Sequence, residues 1–198
     1  MSRFAITFDY LCPFARIANE LVIQAQQAGA GHDVEFRAFS LTQVHLEEDA
    51  TPVWETEPPP SGVRALRYGL AVRDQFPEQF PAAHLALFAI RHDHGDDLND
   101  PAVLDAAVAS VGLDPAEVAK AAADQRVAKA LAADHTWGVA EHRVFGVPTF
   151  VTDQRSVFVR LMQRAADGPS ARATLDRVLD LVESWSDLNE FKATRIPR

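Results

Sequence analysis

The chain opens with a pattern typical of a β-strand. Residues 4–8 alternate between large apolar side chains and smaller or polar ones, which is the period-2 pattern of a strand. A helix is predicted from Pro13, which suits a first helical position, to about Gly29. A second alternating run at residues 34–41 completes a β-α-β unit, whose strands we expect to be parallel.

The middle of the chain has no strand pattern. Residues 47–62, with three consecutive prolines at 58–60, favour an exposed connector. From Ser61 to about His142 the pattern is helical, and an Asp-Pro pair at residues 100–101 is typical of a capped helix start. This part is therefore expected to form an all-helical insertion.

A strand pattern returns near the C-terminus. Residues 149–152 and 156–159 flank Asp-Gln-Arg at 153–155, which predicts a hairpin. A last helix is predicted from Pro169 to about Trp185. The element order is therefore β-α-β, helical insertion, β-β-α, which is an α/β fold.

The element order also divides the chain into two parts. Residues 1–45 and 143–198 are expected to form one α/β domain. Residues 46–142 are expected to form the connector and the helical insertion domain.

Composition and charge limit the classes of function. The 198 residues are 47% hydrophobic and 24% charged, so the chain can bury a core without disulfides or metals. Neither a signal peptide nor a membrane span is apparent, and a cytoplasmic protein is expected. The net charge of −9 argues against nucleic acid or an anionic membrane as the main partner.

Cys12 is the single cysteine of the chain. An internal disulfide is therefore impossible, which fits a reducing compartment. Any redox chemistry at Cys12 needs a second thiol from another molecule.

Two short motifs carry the candidate chemistry: Cys-Pro-Phe-Ala at residues 12–15 and Gly-Val-Pro-Thr-Phe at residues 146–150. In this order around a helical insertion, they resemble the DsbA-like thioredoxin-fold oxidoreductases, whose superfamily includes kappa-class glutathione transferases and chromene-carboxylate isomerases. Residues 189–195 are similar to the tail of actinobacterial DsbA-like proteins, including mycothiol-dependent reductases. The resemblance spans nearly the whole chain and implies a thioredoxin fold with an all-helical insertion.

The position of Cys12 at a predicted helix N-terminus has a physical consequence that does not depend on the resemblance. A sulfur at a helix N-terminus faces unpaired backbone N–H groups, which stabilise the thiolate and lower its pKa. Arg16 could add positive charge, whereas Asp9 would oppose ionisation if its carboxylate faces the sulfur. The alternative is a small, buried, inert cysteine.

The resemblance also implies the remaining site residues. It implies a cis Val147–Pro148 bond beside the cysteine; the alternative is an ordinary trans-proline that opens an edge strand. The expected catalytic residues are Cys12 and Pro148, and the expected substrate-binding residues are Pro13, Phe14, Val147, Thr149 and Trp54.

Two departures from the resemblance bear on mechanism. Ala15 stands where the dithiol oxidoreductases have their resolving cysteine, which points to monothiol exchange with an external thiol. Arg-Leu-Met at residues 160–162 replaces the glycine and small polar residues that help hold the thiol ligand in relatives. The expected co-substrate is a low-molecular-weight thiol such as mycothiol or glutathione, with no tightly bound cofactor.

Four histidines, at residues 92, 94, 135 and 142, are candidates for a metal site or for tuning the pKa of Cys12. His-Asp-His at residues 92–94 is interpreted as a solvated turn, because zinc needs three or four convergent ligands. His135 and His142 lie about two helical turns apart on one face. Either could approach Cys12 and tune its pKa, or be a helical residue without such a role.

Three hypotheses for function follow. The first is a DsbA-like monothiol oxidoreductase that acts on a small-molecule or protein disulfide through Cys12. The second is a kappa-like glutathione-dependent transferase or isomerase, in which the bound thiol is the working group. The third is a non-catalytic binding module. The sequence leaves both a monomer and a homodimer open.

Overall fold

The chain forms an α/β structure with four strands and eight α-helices within residues 1–190 and 192–193, the part that the computed structural model describes. The elements are β1 (Arg3–Phe8), α1 (Pro13–Gln27), β2 (Asp33–Ala38), α2 (Leu41–Val44), α3 (Val63–Gln75), α4 (Phe80–Ala89), α5 (Pro101–Ala109), α6 (Pro115–Ala122), α7 (Gln125–Thr136), β3 (Thr149–Val151), β4 (Ser156–Phe158) and α8 (Gly168–Ser184). Two π-helical turns, Ile90–His94 and Trp137–Glu141, follow α4 and α7. None of the described helices combines the length and apolar character needed to cross a membrane. Phe191, Thr194 and Arg195, part of the C-terminal resemblance, lie outside the described residues.

The four strands form one mixed sheet in the order β2-β1-β3-β4. β1 and β2 are parallel, with Phe4 opposite Val34, whereas β3 is antiparallel to both β1 and β4. This arrangement confirms the predicted α/β fold of thioredoxin type, with a β-α-β unit and a later hairpin around a helical insertion.

The second strand is shorter than predicted. β2 ends at Ala38, although the alternating pattern continues to Leu41. The Ser40 hydroxyl accepts a hydrogen bond from Gln43 N at 3.2 Å and caps the short helix α2. This local side-chain bond competes with extension of the strand.

The two faces of the sheet are covered by different helices. One buried cluster joins strands β1 and β3 to helices α1 and α8; its members include Phe4, Ile6, Phe150, Leu21 and Leu175. The other joins the sheet to the helical insertion; its members include Ala5, Val151, Leu66, Leu87, Tyr10 and Cys12. The insertion thus shares its core with the turn between β1 and α1, residues 9–12, here called the active-site turn.

A buried chain of hydrogen bonds links the insertion to the active-site turn. The Tyr10 hydroxyl lies 2.8 Å from His84 Nδ1, and His84 Nε2 lies 3.2 Å from Asn19 Oδ1. Burial lowers the pKa of His84 to about 3, so the ring is neutral. Asn19 donates through Nδ2 to Ala15 O, so its Oδ1 accepts from His84 and His84 Nδ1 accepts from Tyr10. The side chains of Tyr10, His84 and Asn19 therefore all have hydrogen-bond partners in the core.

The close packing of Tyr10 against Gly69 of α3 gives a first prediction. A Cβ at Gly69 would overlap the Tyr10 hydroxyl, which cannot move cheaply because Tyr10 is fully buried and bonded to His84. We expect Gly69→Ala to lower the free energy of unfolding by about 2 kcal/mol, although alanine favours helix. Urea unfolding measures this loss.

Gly31→Ala is the matched control. A Cβ at Gly31 meets nothing closer than Met1 Cε at 3.7 Å. We expect its free energy of unfolding to stay within about 0.5 kcal/mol of the parent. Equal losses in the two variants would contradict the role assigned to the Gly69–Tyr10 contact.

Candidate active site

Cys12 caps the N-terminus of α1. Its backbone is extended, and its sulfur accepts a hydrogen bond from Ala15 N at 3.4 Å. Cys12 N donates to Asp9 O at 3.0 Å, which closes the active-site turn. Pro13 occupies the first helical position and is exposed, so the proline costs no backbone bond there. The sulfur therefore lies at the positive end of the helix dipole, as the sequence predicts.

The loop before β3 faces this sulfur. The Cys12 thiol donates to Val147 O at 3.4 Å, and the Val147–Pro148 peptide bond is cis. Thr149 fixes the loop from both sides, because its hydroxyl donates to Gly146 O at 2.7 Å and its N–H donates to the Thr7 hydroxyl at 2.8 Å. The expected residues Cys12, Val147 and Pro148 are thus brought together.

Burial opposes ionisation of Cys12. The residue is 8% exposed, and this desolvation raises the pKa of its thiol. The N–H groups of Ala15 and Phe14 lower the pKa, as predicted for a helix N-terminus, but they do not outweigh burial. In the balance of effects that the sequence leaves open, burial therefore outweighs the helix N-terminus and favours the neutral thiol.

Asp9, the first residue of the active-site turn, is fully buried. Its carboxylate accepts hydrogen bonds from Leu11 N at 2.9 Å and Leu41 N at 2.7 Å. Desolvation nevertheless raises the pKa of Asp9 to about 6. In its charged form Asp9 raises the pKa of the Cys12 thiol, which is the opposing effect considered from the sequence.

Arg16 does not provide the positive charge considered for the sulfur. Its guanidinium forms an ion pair with Asp93 in the π-helical turn that follows α4. His92 in the same turn lies 2.9 Å from Tyr10 O through Nε2. Asp93 and His94 are exposed, as expected for a solvated turn, but His92 and Asp93 also hold the active-site turn and α1.

Arg160 supplies a cation that the sequence did not predict at this site. Its guanidinium lies 4.5 Å from the ring centroid of Phe14 and 5.7 Å from that of Phe158. Its charge lowers the pKa of Cys12, although burial dominates. In the sequence, Arg160 stands out only as a departure from the family resemblance. In the structure, the β3–β4 hairpin places it over Phe14. The spacing of Phe158 and Arg160, two residues apart at the end of a strand, is the one available signal.

The described contacts of Trp54, His135 and His142 are with residues other than Cys12. His135 is buried, accepts from Ser40 N through Nδ1 at 3.2 Å, and has its pKa lowered to about 4 by burial. Trp54 packs on this ring at a centroid distance of 5.6 Å. His142 packs on Trp137 at 4.2 Å. Packing thus accounts for these side chains, and substrate binding by Trp54 stays a prediction.

A cavity of about 830 Å³ lies beyond the loop that carries the cis-proline. Thr149, Phe158 and the exposed Phe145 line it, together with Arg143, whereas Cys12 does not. Phe145 packs on Phe158 at 5.4 Å. Cys12 is the candidate reactive group, because the sulfur, the helix N-terminus and the loop carbonyl converge there. Among the described residues, no group of three or more His, Cys, Asp or Glu side chains could hold a metal ion.

Comparisons with known proteins give a family match and a similar protein. The model of the DSBA-like thioredoxin domain family matches residues 5–167. An uncharacterized protein of Mycobacterium tuberculosis is 29% identical over 164 residues, which cover 83% of this chain and 70% of that protein.

Solved structures share the fold. The cytosolic disulfide reductase DsbM from Pseudomonas aeruginosa, solved with GSH, has a TM-score of 0.63 at 16% identity, over 90% of this chain and 100% of that chain. A probable DsbA oxidoreductase from Streptomyces coelicolor has a TM-score of 0.62 at 19% identity, over 98% and 94%. At these identities the structural likeness shows the fold.

The raised pKa of Cys12 predicts a specific pH profile. We expect the rate of alkylation by iodoacetamide to rise with pH through a midpoint above that of N-acetylcysteine, because burial disfavours the thiolate. Asp9→Asn should lower this midpoint, because it removes a nearby negative charge. Asp153→Asn, the same charge change at an exposed hairpin residue, is the control. A midpoint below that of N-acetylcysteine in the parent would contradict the prediction.

The raised pKa of Asp9 also predicts how stability depends on pH. The folded protein binds the Asp9 proton more tightly than the unfolded chain does, since the pKa is about 6 instead of 3.8. This contribution is full below pH 3.8 and is lost as the pH rises through 6. Relative to Asp9→Asn, the parent should lose about 3 kcal/mol of unfolding free energy between these limits. Urea unfolding across this range measures the difference, and a difference that is constant or increases with pH would exclude the assignment.

Proposed function

Because the chain belongs to the DSBA-like thioredoxin domain family of thiol–disulfide oxidoreductases, we propose that it is a monothiol member that works through Cys12 and an external low-molecular-weight thiol. The single observation that carries this proposal is the environment of the sulfur. It sits at the N-terminus of α1 against the Val147 carbonyl, and Ala15, one turn on, presents a buried methyl group where a second thiol would stand.

The proposed cycle has two exchanges. The Cys12 thiolate attacks one sulfur of a disulfide, forms a mixed disulfide and releases the other sulfur as a thiolate. A thiolate of the external thiol then attacks the mixed disulfide, forms a new disulfide with the bound group and releases the Cys12 thiolate. These two exchanges consume one external thiol and leave half of the substrate in a mixed disulfide with it. A second external thiolate must attack that mixed disulfide, forming the disulfide of the external thiol and releasing the second substrate thiolate, to complete the two-electron reduction, because the chain has one cysteine.

Ionisation of Cys12 also changes the Val147 carbonyl. The neutral thiol donates to Val147 O, and loss of its proton to solvent ends that hydrogen bond. The carbonyl can then accept from an N–H of a peptide-like substrate, as in strand pairing. The raised pKa of Cys12 makes the thiolate scarce near neutral pH but intrinsically more nucleophilic. Turnover is therefore expected to increase as the pH rises above 7.

The proposed setting is the reducing cytoplasm. A lone cysteine fits that compartment, and the net charge of −9 argues against nucleic acid and anionic membranes as partners. Mycothiol and glutathione are the candidate thiols. The resemblance to mycothiol-dependent reductases supports the first, and a structural neighbour solved with GSH supports the second.

One observation favours a second candidate, a kappa-like glutathione-dependent transferase or isomerase. A neutral Cys12 thiol is a hydrogen-bond donor, as a serine hydroxyl would be. In that case the bound thiol performs the chemistry and Cys12 positions it. Cys12→Ser separates the two candidates, because a serine cannot take part in disulfide exchange but can donate the same hydrogen bond.

The oxidoreductase proposal predicts a mixed disulfide at Cys12. Incubation with oxidised glutathione or mycothiol disulfide should add one thiol to the protein, which intact-mass spectrometry detects. Cys12→Ser should show no adduct and no disulfide reduction. Persistent failure to label the folded parent, or substantial turnover by Cys12→Ser, would overturn the proposal.

Ala15→Cys provides a second test of the monothiol step. A thiol at residue 15 lies one helical turn from Cys12, and Ala15 N already lies 3.4 Å from the Cys12 sulfur. We expect the mixed disulfide of this variant to lose its small thiol without added reductant, because an internal thiolate can attack it. Ala15→Ser, of similar size, should keep the adduct. Equal lifetimes in the two variants would contradict this prediction.

A further inference from the structure

Arg160 is held at the mouth of the active site by two aromatic rings. Its guanidinium lies 4.5 Å from the centroid of Phe14 and 5.7 Å from that of Phe158. Phe14 is half-buried, two residues after the nucleophile, and Phe158 is half-buried at the end of β4. Stacking on both rings limits the conformations of a long side chain and presents its N–H groups in a fixed plane.

The charge of Arg160 has no partner among the described residues. Neither a carboxylate within salt-bridge distance nor a hydrogen-bond acceptor is found for its guanidinium there. The neighbouring cations differ, because Arg16 pairs with Asp93 and Arg164 pairs with Glu20. Asp9, the acidic group of the active-site turn, is buried and bonded to backbone N–H groups. Arg160 is thus an exposed cation over Phe14, two residues from Cys12, in an acidic protein.

We propose that Arg160 is a specificity-determining residue that binds a carboxylate on the small thiol or disulfide that exchanges with Cys12. A planar guanidinium suits a carboxylate, which it binds through two parallel N–H groups. Phe14 lies two residues after Cys12, so a carboxylate bound by Arg160 would lie near the sulfur that exchanges.

This inference rests on the proposed function and narrows the class of thiol. Glutathione is anionic through its carboxylates, whereas mycothiol has no carboxylate. Arg160 therefore favours a thiol of the glutathione type.

A matched pair of disulfides tests the proposal. Dithiobis(nitrobenzoate) carries carboxylates and dithiodipyridine is neutral, and each releases a coloured thiol on exchange. The measured quantity is the ratio of their exchange rates with Cys12 in stopped flow. The ratio cancels any change in the thiolate fraction that a variant causes, because both reagents react with the same sulfur.

Arg160→Gln should lower this ratio about fivefold, the size expected for one exposed ionic contact. Arg160→Lys should give a ratio between those of the parent and Arg160→Gln, because it retains the charge but loses the planar guanidinium. Arg172→Gln, the same charge change at an exposed residue of α8, should keep all of it. The ratio in the parent should also fall with added salt. Oxidised glutathione and mycothiol disulfide, followed by mass spectrometry, should show the same order of preference.

The outcomes separate this inference from the proposed function. Exchange of both reagents at Cys12 with an unchanged ratio in Arg160→Gln overturns the role of Arg160 and leaves the oxidoreductase proposal intact. An equal loss in Arg172→Gln also overturns it, because net charge alone would then explain the effect. Failure of both reagents to modify Cys12 in the folded parent overturns both proposals.

Discussion

The hydrogen bond from the Cys12 thiol to the Val147 carbonyl joins two segments 135 residues apart. It forms because two segments lie at the same edge of the sheet. One is the active-site turn that follows β1, and the other is the loop with Val147 and Pro148 that precedes β3. The Thr7–Thr149 bond, between the same two strands, sets that distance. The same convergence buries the sulfur, so the contact that assembles the site also favours the neutral thiol.

The helical insertion supports this contact from below. Tyr10 continues the active-site turn into the core, where it bonds to His84 of α4, and His84 reaches Asn19 of α1. A neutral, fully bonded histidine costs little when buried, whereas an orphaned polar group would cost about 1–3 kcal/mol. The insertion therefore helps to fix α1 relative to the active-site turn.

Local patterns predicted the frame of the molecule, and packing decided the rest. The strand at residues 4–8, the proline at the start of α1 and the hairpin near residues 153–155 are all present in the structure, although β1 is buried on both faces. The end of β2 differs because Ser40 caps a helix, a competition between two local signals. The pKa of Cys12, the pairing of Arg16 with Asp93 and the place of Arg160 depend on contacts between distant segments, which periodicity does not encode.

A single buried thiol in an acidic chain limits the chemistry in two ways. In the proposed cycle each mixed disulfide waits for an external thiolate, because the chain has one cysteine, so turnover would depend on access to the sulfur as well as on its pKa. Negative charge on the protein repels anionic thiols, and Arg160 is the local exception beside the sulfur. An exposed cation contributes little to stability. The stacking of Arg160 on Phe14 is therefore better explained by the proposed binding of a carboxylate than by a contribution to the stability of the fold.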